Sequence, residues 1–384
     1  MSGEDEHVLG YFAANREEMI TDLKKVIECE SPSGNVALLN DCANEISKII
    51  VKRTGLKPDI MELEDGTKAI SLSIGRNSGM SILVLGHYDT VFPEGTLKKR
   101  PFHVSDDRIE GPGVFDMKAG LVQGIWAIKF MLEHVHGDQR MLFLVTPDEE
   151  TGSLQSRKII EEAGKNSSLG IVLEPSENGK LKTGRKGVGT YDITVQGRPA
   201  HAGLHPEDGI SAIWEIVHIV ERLSVLQDVS RGTTINVGTI SGGTATNVVP
   251  DKATIAVDVR VVGLEEAKRI DDSIRSLKPQ NPEAKIIITG GINRLPMVKN
   301  ERTAAVLEEI KKLGNDLGIK IEDVFVGGGS DGNIISQYGL PVIDGLGAVG
   351  AGAHSDTEYV VLSSVSLRTA LVAKILERYS GKQL

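Results

Sequence analysis

The sequence predicts an α/β protein. A mostly parallel sheet with helices carries an inserted α+β, ferredoxin-like domain. Three observations predict it. Short continuous apolar runs at residues 81–86, 140–146 and 170–173 alternate with helical stretches, as strands buried on both faces do. Between about residues 187 and 295 the pattern changes to polar–apolar alternation, the mark of half-exposed antiparallel strands. Helix–strand alternation with longer apolar runs resumes near Pro296 and continues to the C-terminus.

The elements follow in order. Residues 8–28 and 35–52 show helical spacing of apolar positions, broken by Ser31-Pro32-Ser33-Gly34. The run 81–86 is a strand, 120–133 a helix, 140–146 a strand, 153–164 a helix and 170–173 a strand. In the middle stretch, 189–196, 233–240, 252–261 and 284–289 read as strands, and 210–226 and 264–277 as amphipathic helices. Two helices on a four-stranded antiparallel sheet is the economical assembly. The predicted domains are therefore 1–186 with 296–384, and an inserted 187–295.

A chain of 384 residues is long enough for two ordinary domains, and 40% hydrophobic with 25% charged residues is globular composition. A formal net charge of −10 disfavours nucleic acid and anionic membranes as partners. No apolar run approaches the roughly 20 residues of a membrane helix, and no signal-peptide core follows the polar N-terminus. Two cysteines, Cys29 and Cys42, are too few for a disulfide framework. These features predict a cytoplasmic protein.

The chemistry-bearing residues fall at the C-terminal ends of the buried strands, where open α/β sheets bind ligands. His87 and Asp89 follow the first strand. Positions i and i+2 of extended backbone face one side, so the carboxylate can orient the imidazole. Asp116 lies in a glycine-rich turn before a helix. Asp148-Glu149-Glu150 follows the second strand and Glu174 the third. His354 sits in a late glycine-rich loop. A lone strand-end histidine is usually structural, and a Glu-Glu pair is usually solvated. The set carries the force. Mixed histidine–carboxylate ligation suits zinc, and a bridged zinc pair suits hydrolysis.

Eight ordered blocks, GHYDTV, GPGVFDMKAG, TPDEETGS, EPS, GRPAHAG, GGTATNVVPDKATIAVDVR, GGGSDGN and GAGAHSD, span nearly the whole chain. In that order they resemble the di-zinc metallopeptidase family of aminoacylase, succinyl-diaminopimelate desuccinylase and glutamate carboxypeptidase, the last branch most of all. The resemblance implies two zincs per chain, with cobalt or manganese as substitutes. One would be held by His87, Asp116 and Glu174, the other by Asp116, Glu150 and His354. It makes Glu149 the general base, Asp89 the partner of His87, and the Asp116–Met117 peptide cis. Met117 stands where the family often carries an acidic residue.

For substrate, the resemblance gives His201 the polarisation of the scissile carbonyl, in an active site often shared across a subunit interface, with Asn247 nearby. It gives Arg294 the substrate's terminal carboxylate, a task that suits a planar guanidinium. Backbone amides around Gly328 could meet a second carboxylate oxygen. Lys180 and Lys182, in a basic cluster that could equally be a solvated face, are candidates for an acidic substrate side chain. The expected activity is hydrolysis of an amide bond beside a free carboxylate, by a carboxypeptidase acting on small peptides. An N-acyl-amino-acid deacylase or dipeptidase is the alternative within the family. A non-catalytic peptide- or amino-acid-binding protein is the alternative outside it, although every catalytic position is filled. An exposed edge of the inserted sheet predicts a homodimer.

Overall fold

The computed structural model describes residues 3–75, 80–137 and 139–380. The chain divides into two compact units. One comprises Met1–Gly184, Lys299–Phe325 and Ser330–Leu384; the other comprises Arg185–Val298 and Val326–Gly329.

The first unit is built on a six-stranded sheet in the order Asp59–Glu62, Lys68–Ile74, Met141–Thr146, Ser81–His87, Ser167–Val172, Val342–Ile343. The last four run parallel, and Lys68–Ile74 joins them antiparallel. Strands Ser81–His87 and Ser167–Val172 are almost wholly buried, which is why their sequences are continuous apolar runs. The register fixes what the strand ends present. His87 pairs with Thr146 and Leu85 with Val172, so two residues further on Glu174 comes level with His87.

Helix Ala119–His134 is apolar nearly all round because it is buried, packing against helices Val36–Thr54 and Ser364–Tyr379 and against strand Ser81–His87. Its close approach to the end of the third strand depends on Gly120. A Cβ there would lie 2.1 Å from the Leu173 carbonyl oxygen. Helix Val36–Thr54 shows how local sequence sets an element's ends. The Asn35 side chain accepts the Leu38 N–H, and Gly55 closes the helix in the left-handed region at φ 72°.

The second unit holds a four-stranded antiparallel sheet in the order Thr234–Gly242, Lys252–Val261, Gly187–Gln196, Lys285–Arg294. Helices Ala212–Ser224 and Leu264–Arg275 supply Ile216, Ile219, Leu223, Ile270 and Ile274 to its own core, against Ile193, Val195, Ile255 and Val257 of the strands. This is the α+β arrangement that the alternating pattern predicts.

Three features differ from the sequence expectation. The stretch 8–28 is two helices, Gly3–Ala14 and Arg16–Glu28, parted at Asn15. The helix expected from 153 begins at Arg157, because Ser153 is left-handed and the Asp148 carboxylate takes the Gln155 and Ser156 N–H groups. A small sheet of Gly350–Ala351, Tyr359–Val361, Arg108–Glu110 and His103–Ser105 was not anticipated; two or three residues are too few to show a period.

Gly120→Ala should destabilise the protein by about 1–3 kcal/mol through overpacking. Gly10→Ala, in a helix and with open space at its Cβ, should be neutral or stabilising by up to about 1 kcal/mol. Urea midpoints of the two variants check the contrast.

Candidate metal centre

Three adjacent parallel strands deliver the first residues. His87 ends the middle strand, Glu149 and Glu150 lie in the turn after Met141–Thr146, and Glu174 follows Ser167–Val172. Asp116 comes from the turn before helix Ala119–His134, and His354 from the loop before strand Tyr359–Val361. All six belong to the first unit.

Their side chains converge. His87 Nε2 lies 3.3 Å from Asp116 Oδ1 and 3.4 Å from Glu174 Oε1. His354 Nε2 lies 3.3 Å from Asp116 Oδ2 and 3.1 Å from Glu150 Oε1. Asp116 thus faces one histidine with each oxygen, as a bridging carboxylate must. Glu149 Oε2 is 4.0 Å from His87 Nε2, beside the first group.

Asp89 organises much of this. The His87 Nδ1 is 3.1 Å from the Asp89 carbonyl oxygen and 3.2 Å from its Oδ1. A carbonyl can only accept, so Nδ1 carries the hydrogen and Nε2 is turned towards Asp116 and Glu174. The same Asp89 carboxylate accepts the Glu149 and Glu150 N–H groups, each at 3.1 Å, and the Ser33 hydroxyl at 2.8 Å. One buried carboxylate therefore orients an imidazole and fixes the backbone of both glutamates.

The donor set fits a metal pair. Ligand atoms about 2.0–2.2 Å from a tetrahedral zinc lie about 3.3–3.6 Å from one another. The observed separations of 3.1–3.4 Å match that edge closely. His87 Nε2 and Asp116 Oδ1 are buried, and neither makes a hydrogen bond. Buried polar atoms are rarely left so, and a shared cation would satisfy both.

The electrostatics point the same way. Burial works against a charge on His87, yet Asp116, Asp89 and Glu174 win and hold its pKa well above the ordinary value. Hydrogen bonds to Asp116 and Glu150 push His354 up to about 10. Burial alone would raise the Asp116 carboxyl, but His354 and His87 hold it well below the usual range. Burial raises Glu150. A field that holds protons on two histidines favours a divalent cation in their place.

Sequence reasoning missed several supports. The buried Glu358 carboxylate accepts backbone N–H groups from the turn carrying Asp116, and burial pushes its pKa up to about 7. Asp148 takes the Ser156 hydroxyl and two backbone N–H groups, pinning the segment after Glu149 and Glu150. Asp331 accepts the Ser153 and Thr146 hydroxyls from that same region. In the sequence Asp148 and Asp331 stand inside the blocks TPDEETGS and GGGSDGN and Glu358 just after GAGAHSD, and residue type alone does not separate a buried carboxylate from a solvated one. Met117 is fully buried where an acid was the expected type, and its Sδ accepts the His87 N–H at 3.3 Å. The Asp116–Met117 peptide is cis.

The remaining expected residues fall elsewhere. His201, Asn247, Arg294 and Gly328 belong to the second unit. There Val249 N donates to Ala200 O and Ala202 N to Asn247 O, both at 2.9 Å, so the His201 and Asn247 segments run side by side. Arg294 is buried at the end of its strand. The Gly328 carbonyl accepts from Arg185 Nη1 at 3.1 Å. The short helix that follows is closed by its own residues, because Ser330 Oγ takes the Gly332 N–H and Asn333 Oδ1 takes the Ser330 N–H. Those two amides are not available to a substrate carboxylate. Lys180 Nζ is 3.1 Å from Glu322 Oε2 at the surface, and Lys182 is buried, so the basic stretch is not a single solvated face.

Comparisons with known proteins give the family. The family described as Peptidase dimerisation domain matches residues 183–282. Carboxypeptidase G2 of Pseudomonas sp. (strain RS-16) is 30% identical over 330 residues, covering 81% of this chain and 78% of that protein. An M20 family metallo-carboxypeptidase from Sulfolobus solfataricus superposes with a TM-score of 0.72 at 18% identity, over 94% of this chain and 98% of that one. A dinuclear metal-binding M20 peptidase from Bacillus subtilis gives 0.66 at 15% identity, over 95% and 98%. The chain belongs to the M20 family of metallopeptidases. No helix among the described residues is long and apolar enough to cross a membrane.

Zinc added to chelator-stripped protein should raise its Tm, by about 2.7 kcal/mol of stability at a free concentration 100 times Kd. Asp116→Ala, which removes an oxygen from both groups, should abolish most of that rise in a thermal melt.

Proposed function

We propose that this chain is a two-zinc carboxypeptidase that hydrolyses the amide bond beside a free carboxylate in a small peptide. The convergence of His87, Asp116 and Glu174, and of Asp116, Glu150 and His354, with Glu149 alongside, carries the reading. Zinc held there would supply Lewis acidity to the scissile carbonyl and make water more acidic.

The chain's own residues do the rest. Glu149 is buried, its backbone is fixed by Asp89, and its carboxylate lies within ligand distance of His87 and Glu174 but outside the group that His87 and Asp116 form with Glu150. It takes a proton from the attacking water and returns it to the departing amine. His201 supports the scissile carbonyl. Its Nδ1 accepts the Gly203 and Leu204 N–H groups, each at 3.1 Å. A neutral His201 therefore carries its hydrogen on Nε2, a ready donor to a developing oxyanion. Asn247 is proposed as a second donor and Arg294 as the holder of the substrate's terminal carboxylate. Lys180 is already paired with Glu322, so no preference for an acidic side chain is part of this proposal.

The same family relationship supports a homodimer through the second unit. Strand Thr234–Gly242 has a neighbour on one side only, and helix Ala212–Ser224 packs next to it. Trp214 (68% exposed) and Ile213 on that helix and Ile240 (62% exposed) on the strand are exposed apolar side chains, and Ile213 reaches Gly242 at the end of the strand. Pairing two copies there would cover the edge and the side chains together.

Glu149→Ala should keep its zinc, measured by elemental analysis, and lower kcat by about 10²–10⁴-fold on C-terminally unblocked dipeptides. Equal loss of zinc would make Glu149 a ligand instead. A panel of dipeptides, N-acyl amino acids and C-terminally amidated controls tests the reaction class; turnover of the amidated substrates would overturn the carboxylate requirement. Trp214→Glu should shift the protein from dimer to monomer in light scattering, while its zinc content stays unchanged.

A further inference from the structure

We propose that Glu358 is a positioning residue for the metal centre, clamping the turn that carries Asp116 to the loop that carries His354. The inference rests on the two-metal reading above.

Glu358 is 1% exposed. Its Oε2 accepts the Gly113 N–H at 2.8 Å, and its Oε1 accepts the Phe115 and Asp116 N–H groups, each at 2.9 Å. A buried carboxylate is costly, and these three amide bonds offset the cost without any basic side chain. One of the three is the amide of Asp116 itself. A shift of that amide moves the carboxylate placed between His87 and His354.

The other end of the clamp is as firmly held. Glu358 lies four residues after His354, and its own N–H donates to the Ser355 carbonyl at 3.2 Å. Arg100 reaches both carbonyls of this turn, Ser355 O at 3.1 Å and Glu358 O at 3.4 Å. His354 adopts φ 62°, a left-handed conformation that the surrounding turn must impose. The small sheet explains why the two segments meet. Tyr359 pairs with Glu110, so Glu358 and the turn beginning at Gly111 leave one ladder side by side.

A purely structural role would cap this turn and nothing more. Positioning makes a different demand, because Asp116 and His354 come from segments 238 residues apart and share one metal position only while the turns stay in register. Outer-shell partners of this kind are typically worth about 10–100-fold in metal affinity.

The test uses E358A and E358Q on the full chain. E358A leaves three buried amides without an acceptor. E358Q keeps an acceptor for Phe115 and Asp116 but turns an N–H group towards Gly113. Each protein is stripped of metal, its Tm is recorded, and zinc affinity is measured by competition with a chromogenic chelator. The expected result is zinc binding about 10–100-fold weaker in E358A, an intermediate value in E358Q, and kcat lowered more than KM is changed. Zinc affinity within twofold of wild type in both variants, with only the stripped-protein Tm reduced, would overturn the proposal and leave Glu358 a turn cap. If E358A does not fold, E358Q decides by the same criterion. A wild-type protein that takes up no zinc would remove the two-metal reading itself, and the positioning role with it.

Discussion

Concentrating carboxylates around two imidazoles is the constraint on which the first unit is organised. Two like charges about 4.8 Å apart repel by about 3 kcal/mol at an effective dielectric constant near 20, and carboxylate oxygens of Glu149 and Glu174 lie within that distance of each other and of the His87 imidazole. The fold accepts this because each acidic group has its position enforced from outside the cluster. The register of three parallel strands sets His87 level with Glu174. Asp89 fixes the backbone of Glu149 and Glu150, and Glu358 fixes that of Asp116. The raised pKa values of both histidines express the same crowding.

The supports are themselves buried carboxylates, and each is satisfied mainly by backbone N–H and hydroxyl groups. Asp89, Asp148 and Glu358 accept backbone N–H groups from turns, and Asp331 accepts the hydroxyls of Ser153 and Thr146. Amide donors have fixed geometry and carry no mobile countercharge. They hold a loop without adding a competing cation beside the metal positions. Close packing completes the frame: Gly120 and Gly347 both let backbone approach the Leu173 carbonyl, directly before Glu174.

The second unit follows a different logic. Its core is closed by two helices on one face of an antiparallel sheet whose outer strands are Thr234–Gly242 and Lys285–Arg294, and Trp214 and Ile213 on helix Ala212–Ser224 are exposed. It also carries His201, whose tautomer is set locally by two backbone N–H groups. Assembly and carbonyl recognition are thus proposed for one unit, and metal binding for the other.

The α/β class, the central strands and the alternating strands of the inserted region were legible in the sequence because burial on one or both faces writes a period into apolar residues. The residues of the candidate metal centre were legible as a set, at the ends of successive buried strands and in glycine-rich turns, and their grouping followed from the resemblance of the ordered motifs around them to a di-zinc family. Other features depended on tertiary structure. That Asp116 and His354 approach within 3.3 Å follows from pairing between segments far apart in the chain, through strands too short to show a pattern. That Lys180 is paired and Lys182 buried, although both read as members of one basic run, depends on which neighbours packing supplies. Glu358 is the sharpest case. In the sequence it is one acid before an apolar strand, and only the fold brings three amides to it, because a backbone N–H carries no residue identity that a sequence could display.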